Sequence, residues 1–229
     1  MNPHPTVSIS VLFLVFLRLI SASQAAADDV MPVQTLADPV RHLIDDVPLV
    51  NRDSINAVIE ISAGSLEKWE VDSQDGYIRQ DLEDSSPRVI NFLPYPANYG
   101  FIPQTIQDPS TNGDGDPVDV IVLSSSMPRG SIVSVEIIGS IQMLDLGEVD
   151  DKYVAVMVDS GPFSTIKDLS ELALSYPGSV EILRMWFENY KVGAMSFEGY
   201  VDSEQAMSRV LEAHEAWSAR VKKLGSYLN

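Results

Sequence analysis

The chain has no cysteine in its 229 residues. Disulfides, zinc–thiolate centres and thiol nucleophiles are therefore excluded. Histidine is nearly as scarce. His4, His42 and His214 are the full set, and no two stand at the spacing of a histidine-built zinc site. Basic charge is also short: 15 Lys and Arg face 33 Asp and Glu, for a net charge of −18. Such a surface repels nucleic acid and anionic membranes, so no nucleic-acid partner is expected. After the N-terminal segment, no apolar run approaches the ~18 residues of a membrane span. No stable membrane association is expected once the leader is removed. The GxSxG elbow, the phosphate-binding Walker loop, internal repeats and low-complexity tracts are all missing. Any metal would be a hard cation held by carboxylate oxygens, such as magnesium, manganese or calcium.

The N-terminal segment reads as an export signal. Val11–Ile20 is almost wholly apolar, and small residues follow at Ser23 and Ala25–Ala27. The run is short for a span and is interrupted by Arg18. Residues 1–27 are expected to be a signal peptide, which places the mature protein in the periplasm or outside the cell. Residues 28–53 read as a polar, proline-punctuated lead-in, and residues 54–229 as one domain.

Within that domain strands come first. Ala57–Ile61, Glu67–Val71, Arg88–Phe92, Val118–Leu123, Ser131–Met143 and Lys152–Val158 are short, β-branched or alternating runs between turn residues. The last third reads as helical. Ile166–Ser175 is a short helix. Val180–Tyr190 places Ile182, Leu183, Trp186, Phe187 and Tyr190 at helical spacing. Asp202 with Gln205 three residues on has a capping-box pattern opening a helix to Lys223, with Ala206, Val210, Ala213 and Trp217 as its inner stripe. Strands followed by helices predict an α+β domain, a small barrel or curled sheet covered by C-terminal helices.

The chemistry concentrates in Asp108–Asp119, DPSTNGDGDPVD. Asp114, Asp116 and Asp119 crowd together just before an apolar strand. Such carboxylates repel one another, and a divalent cation removes the penalty. One alternative is an acidic turn capping a strand. Another is a calcium loop, since acidic or polar residues fall at alternate positions from Asp108 with Gly113 at the sixth. The flanks argue against it, because an EF-hand needs a helix on each side. A second acidic set, Asp145, Glu148, Asp150 and Asp151, precedes Lys152. Upstream, Lys68 and Glu70 share one face of a strand, with Glu60 on the strand before. Arg88, Tyr95, Tyr99, Tyr190 and Lys191 are candidate anion contacts. Many carboxylates, a few cations and no nucleophile suit metal-activated water attacking a phosphoryl group.

These segments resemble the first family of soluble inorganic pyrophosphatases. Asp114-Gly115-Asp116-Pro117-Val118-Asp119 is similar to that family's D-G/N-D-P-x-D signature. Tyr95-Pro-Ala-Asn-Tyr99-Gly is similar to its Y-P-x-N-Y-G segment. Glu60, Lys68 and Glu70 resemble its E-I-P…K-x-E strand pair. Asp145, Asp150 and Lys152 keep its D-x4-D-x-K spacing, and Tyr190-Lys191 matches its late Y-K pair. The resemblance runs from about Val58 to Trp217. It implies a five-stranded OB-like barrel with helices, pyrophosphate as substrate, several magnesium ions with manganese as a possible substitute, and a homo-oligomer. By position it implies metal ligands at Glu70, Asp114, Asp119, Asp145 and Asp150, and Asp116 as the residue that orients or deprotonates the attacking water. It implies substrate contacts from Lys68, Arg88, Tyr95, Lys152, Tyr190 and Lys191, and support from Glu60 and Tyr99. Ser62 departs from the pattern, standing where the family usually has proline. Alternatives of other classes are a non-enzymatic calcium-binding module and an exported phosphatase acting on organic phosphates.

Overall fold

Ser54–Ile61 (β1) is buried along seven of its eight residues. A strand apolar on both faces needs cover on both sides, and the topology supplies it. In this computed structural model, which describes residues 42–158 and 160–227, β1 pairs antiparallel with Asn98–Phe101 (β2). Next come Asp119–Leu123 (β3), Ile132–Asp145 (β4) and Lys152–Met157 (β5) in chain order. β2 pairs antiparallel with β3, β3 runs parallel to β5, and β5 pairs antiparallel with β4. β4 then returns to β1, with Val135 opposite Ile55. The circuit β1-β2-β3-β5-β4-β1 is a closed five-stranded barrel of OB type. Closure requires close approach at Gly100, where a Cβ would lie 1.8 Å from the Val58 carbonyl oxygen.

Three helices cover the barrel: Leu169–Ser175 (α1), Ser179–Asn189 (α2) and Ser203–Tyr227 (α3). Leu172, Val180, Leu183, Trp186 and Phe187 pack on one side with Ile121, Ile138 and Val154. Ala206 and Val210 of α3 join Ala57, Val120 and Val135 on another. Asp202 caps α3 as expected, its carboxylate accepting the Gln205 N–H at 2.8 Å. Ile182 departs from the expected inner stripe of α2 and is 60% exposed. None of the described helices is long and apolar enough to cross a membrane.

Three readings of the sequence change. The last third is not all helix, because Met195–Val201 (β6) forms a strand on the outer half of β4. Its alternation is diluted by Ser196, Glu198 and Gly199, so only pairing with β4 reveals it. Arg88–Phe92 is not a strand, and only Val89 bridges to Glu67. The lead-in is in part a packed element. Leu43, Ile44 and Val47 are buried with Val58 and Phe101, and Gln104 binds the segment through the Ile44 and Asp45 carbonyls. The expected signal peptide and residues 28–41 lie outside the described residues. Asp108–Asp119 is flanked by β2 and β3, so the helix pair of an EF-hand does not form.

Candidate active site

The aspartate loop is shaped by its own backbone. Asp108 accepts the Ser110 N–H at 2.8 Å and opens a single 3-10 turn. Gln107 then clasps the loop's far side, donating to the Asp116 carbonyl and accepting from Gly115. Gly115 sits at φ 90°, a left-handed conformation suited to glycine. Asp114 accepts the Asp116 N–H at 2.8 Å in an Asx turn. Pro117 stiffens the exit, and β3 begins at Asp119.

Strand pairing brings the other groups to this loop. Lys152 opens β5 beside β3, one residue before the Tyr153–Val120 pair. Its ammonium lies 2.5 Å from Asp119 and 2.5 Å from Asp150. Asp145 ends β4 and pairs with Lys191, which follows α2. Lys68 and Glu70 pair with each other on the hairpin Trp69–Val71/Ile78–Gln80. Arg88 is held against that hairpin by Asp81 at 2.7 Å. One cavity is lined by Glu60, Lys68, Glu70, Arg88, Tyr99, Gln107, Asp114, Asp116, Asp119, Asp145, Asp150, Lys152, Tyr190 and Lys191, with Val71, Phe101 and Pro117. It leaves about 160 Å³ for the centres of water molecules.

The profile of the inorganic pyrophosphatase family matches residues 57–218, about seven-tenths of the chain. The chain belongs to the inorganic pyrophosphatase family. It is 32% identical over 200 residues to a relative from Homo sapiens named inorganic pyrophosphatase, covering 78% of this chain and 69% of the relative. Among solved structures, the type I inorganic pyrophosphatase of Toxoplasma gondii aligns with TM-score 0.72 at 31% identity, covering 77% of this chain and 87% of that one. That of Thermus thermophilus aligns with TM-score 0.67 at 26% identity, covering 78% and 99%.

Electrostatics in this pyrophosphatase cavity follow from burial against pairing. Burial raises Asp119 despite Lys152, and the neighbouring Asp150 adds to the rise. Burial also works on Asp150, but Lys152 and Lys191 outweigh it and hold that carboxyl below the usual range. The Lys152 ammonium is buried, yet Asp119 and Asp150 keep it firmly charged. Partial burial, helped by Asp114 and Asp119, pushes Asp116 up to about 6. Burial pushes Glu60 up to about 8, with Lys68 opposing. Among the described residues, no three carboxylate or imidazole groups converge at metal-ligand range; lysines stand between the acids.

All but one of the site residues expected from sequence line this cavity. The exception is Tyr95, 3% exposed, which lies behind the wall with ring centroids 5.5 Å from Tyr99 and 4.4 Å from Trp186. It forms the bed of the site and is not on its surface. Tyr190 stacks on Trp186 at 4.9 Å, and Trp186 is fixed by its indole N–H to the Leu93 carbonyl. Asp151 leaves the acidic set. Its neighbours Asp150 and Lys152 face the cavity, while Asp151 turns the other way to Arg209 at 2.9 Å, as strand alternation requires. Gln107 and Asp81 were not anticipated. No local pattern marks Gln107, because its place beside Asp116 depends on how the loop folds back.

Proposed function

We propose that this chain hydrolyses inorganic pyrophosphate to two phosphates with the help of divalent cations, magnesium first and manganese as a substitute. The observation that carries the reading is the convergence of seven acids with Lys68, Arg88, Tyr190 and Lys191 on one cavity. The donor set fits a hard cation: every acid offers only oxygen, and Asp145 Oδ1 is buried without a partner. Glu70, Asp114, Asp119, Asp145 and Asp150 are the residues that would hold the ions. Bound cations at such a site lower the pKa of water and neutralise phosphate charge.

The chain's own groups supply the rest. Lys68, Arg88 and Lys191 offer cations, and Tyr190 a hydroxyl, to the phosphate oxygens, where charge-assisted bonds are strongest. Lys152 is committed to Asp119 and Asp150, so it spaces the acids while adding positive charge to the floor. Asp116 aligns the attacking water and takes its proton. Tyr95, Tyr99 and Phe187 form an apolar bed that strengthens the charge interactions above it. Phosphoryl transfer asks mainly for such positioning and charge stabilisation.

Phosphate release from pyrophosphate, a nucleotide and an aryl phosphate is the test, with millimolar magnesium and with EDTA. Magnesium-dependent release from pyrophosphate alone supports the reading. Equal release from all three assigns a general phosphatase, and no release from any assigns a binding module. We also propose export, on the apolar Val11–Ile20 leader and Ala25–Ala27. Mass spectrometry of the native protein should find an N-terminus within residues 24–30; an intact Met1 and Arg18 would overturn it.

A further inference from the structure

Glu70 sits on an arm of three residues, Trp69–Val71, that pairs with Ile78–Gln80; Lys68 stands just before it, its N–H on the Arg88 carbonyl and its carbonyl on the Asp81 N–H. That arm belongs to neither the barrel nor a helix, so something must fix its distance from the aspartate loop. Packing of Val71 and Ile78 against Val58 and Phe101 supplies part of this, and the Val71 N–H donates to Glu60 Oε1 at 2.6 Å. A further tie comes from the opposite face. Alternation turns Lys68 and Glu70 toward the cavity and Glu67 and Trp69 away from it. On that outer face the Arg129 guanidinium lies 3.4 Å from the centre of the Trp69 ring. Its Nε donates to the Glu60 carbonyl at 3.1 Å, and its Nη2 lies 3.3 Å from Glu67. Glu67 also accepts the Trp69 indole N–H at 2.8 Å. Arginine, indole and carboxylate thus close a ring on the back of the arm and anchor it to β1.

Among the described residues Arg129 makes no other polar contact. It does not line the cavity, and its side chain is 33% exposed. Its turn is held by other bonds, Gly130 N–H to Ile59, Ile59 N–H to Ser131, and Ser131 Oγ to Pro128. Arginine suits the place because its plane can stack on indole while two edges donate in different directions; lysine offers neither. We propose that Arg129 is a positioning residue, clamping the hairpin so that Lys68 and Glu70 meet pyrophosphate and its cations at the right distance. This rests on the pyrophosphatase reading for its substrate, and on geometry alone for the clamp.

The test uses the full chain with Arg129→Met, Arg129→Lys and Trp69→Phe. Arg129→Met should raise the KM for pyrophosphate by about 10-fold, the fold-change of one lost cation–π clamp, with nearly unchanged melting temperature. Arg129→Lys should recover little, and Trp69→Phe should keep most of the affinity. In a Lys68→Met background, Arg129→Met should add less than about 2-fold, because it acts through Lys68. Amide exchange at residues 67–71 should quicken in Arg129→Met while the barrel strands stay protected. That readout needs no activity, so it separates failure of the clamp from failure of the pyrophosphatase reading. Unchanged exchange at residues 67–71 overturns the proposal. So does a KM effect that multiplies with Lys68→Met, or one that Arg129→Lys fully restores.

Discussion

The barrel wall of the cavity and its hairpin wall are held in different ways. Asp119 and Lys152 lie on adjacent central strands, with backbone ladders on both sides. The Lys152 side chain is 2% exposed and cannot move without disturbing the core. Lys68, Glu70 and Arg88 ride on short arms fixed by ion pairs, one carboxylate bond and a stacked guanidinium. Glu70 is 50% exposed. The lesson is about coupling. Charges in the barrel wall are bound up with folding, and Lys68, 11% exposed, shares that burial; Glu70 is the hairpin charge expected to change with little effect on stability.

Asp116 belongs to neither wall, and changing it should give the largest effect. Asp116→Asn keeps shape but not basicity, so it should fold, bind magnesium and lose roughly 10²–10⁴-fold in turnover. Near-normal turnover at saturating magnesium would make Asp116 a ligand instead. Lys152→Met tests the barrel wall. It leaves Asp119 buried without its counter-charge and Asp150 with Lys191 alone, and should cost about 3–5 kcal/mol in stability, read by denaturant melts in EDTA. A cost below about 1 kcal/mol would erase the contrast between the walls.

Magnesium itself should act on the same wall. Carboxylates that repel one another bind cation only when folded, so a free concentration ~100 times the dissociation constant should add roughly 2.7 kcal/mol per site. Coincident melting curves with EDTA and with magnesium would remove the acids from metal binding. The smallest stability effect belongs to the hairpin. Glu70→Gln, half exposed, should cost less than about 1 kcal/mol, yet raise the magnesium concentration needed for half-maximal turnover. If it destabilises as much as Lys152→Met, the hairpin is part of the core after all.

Much of the site was legible from residue types at short range. Asp114, Asp116 and Asp119 within six positions announce a cation loop through their mutual repulsion, and Lys68 and Glu70 declare a shared face by strand alternation. Val118–Leu123 and Ser131–Met143 announce strands by β-branching. The misses have physical causes too. β6 is half polar and gains its identity only from β4. Ile182 fits the helical period of α2 but is 60% exposed. Leu43–Val47 looked like a lead-in because short apolar groups between charges carry no period; Phe101 and Val58 give them a place.

By itself the sequence determined the chemical vocabulary: no thiol, little imidazole, abundant carboxylate, and cations at Lys68, Arg88, Lys152 and Lys191. It also determined local period, and hence that Lys68 and Glu70 share a face. Tertiary structure decided the rest. It sent Asp150 to Lys152 and Asp151 to Arg209, sank Tyr95 beneath Tyr99, and set Arg129 behind Trp69. The reason is closure of the barrel. Residues 60, 70, 88, 116, 150 and 191 meet only when β4 returns to β1 and α2 lands on the wall between them. That pairing is settled by the free energy of the whole core, which no short window of sequence contains.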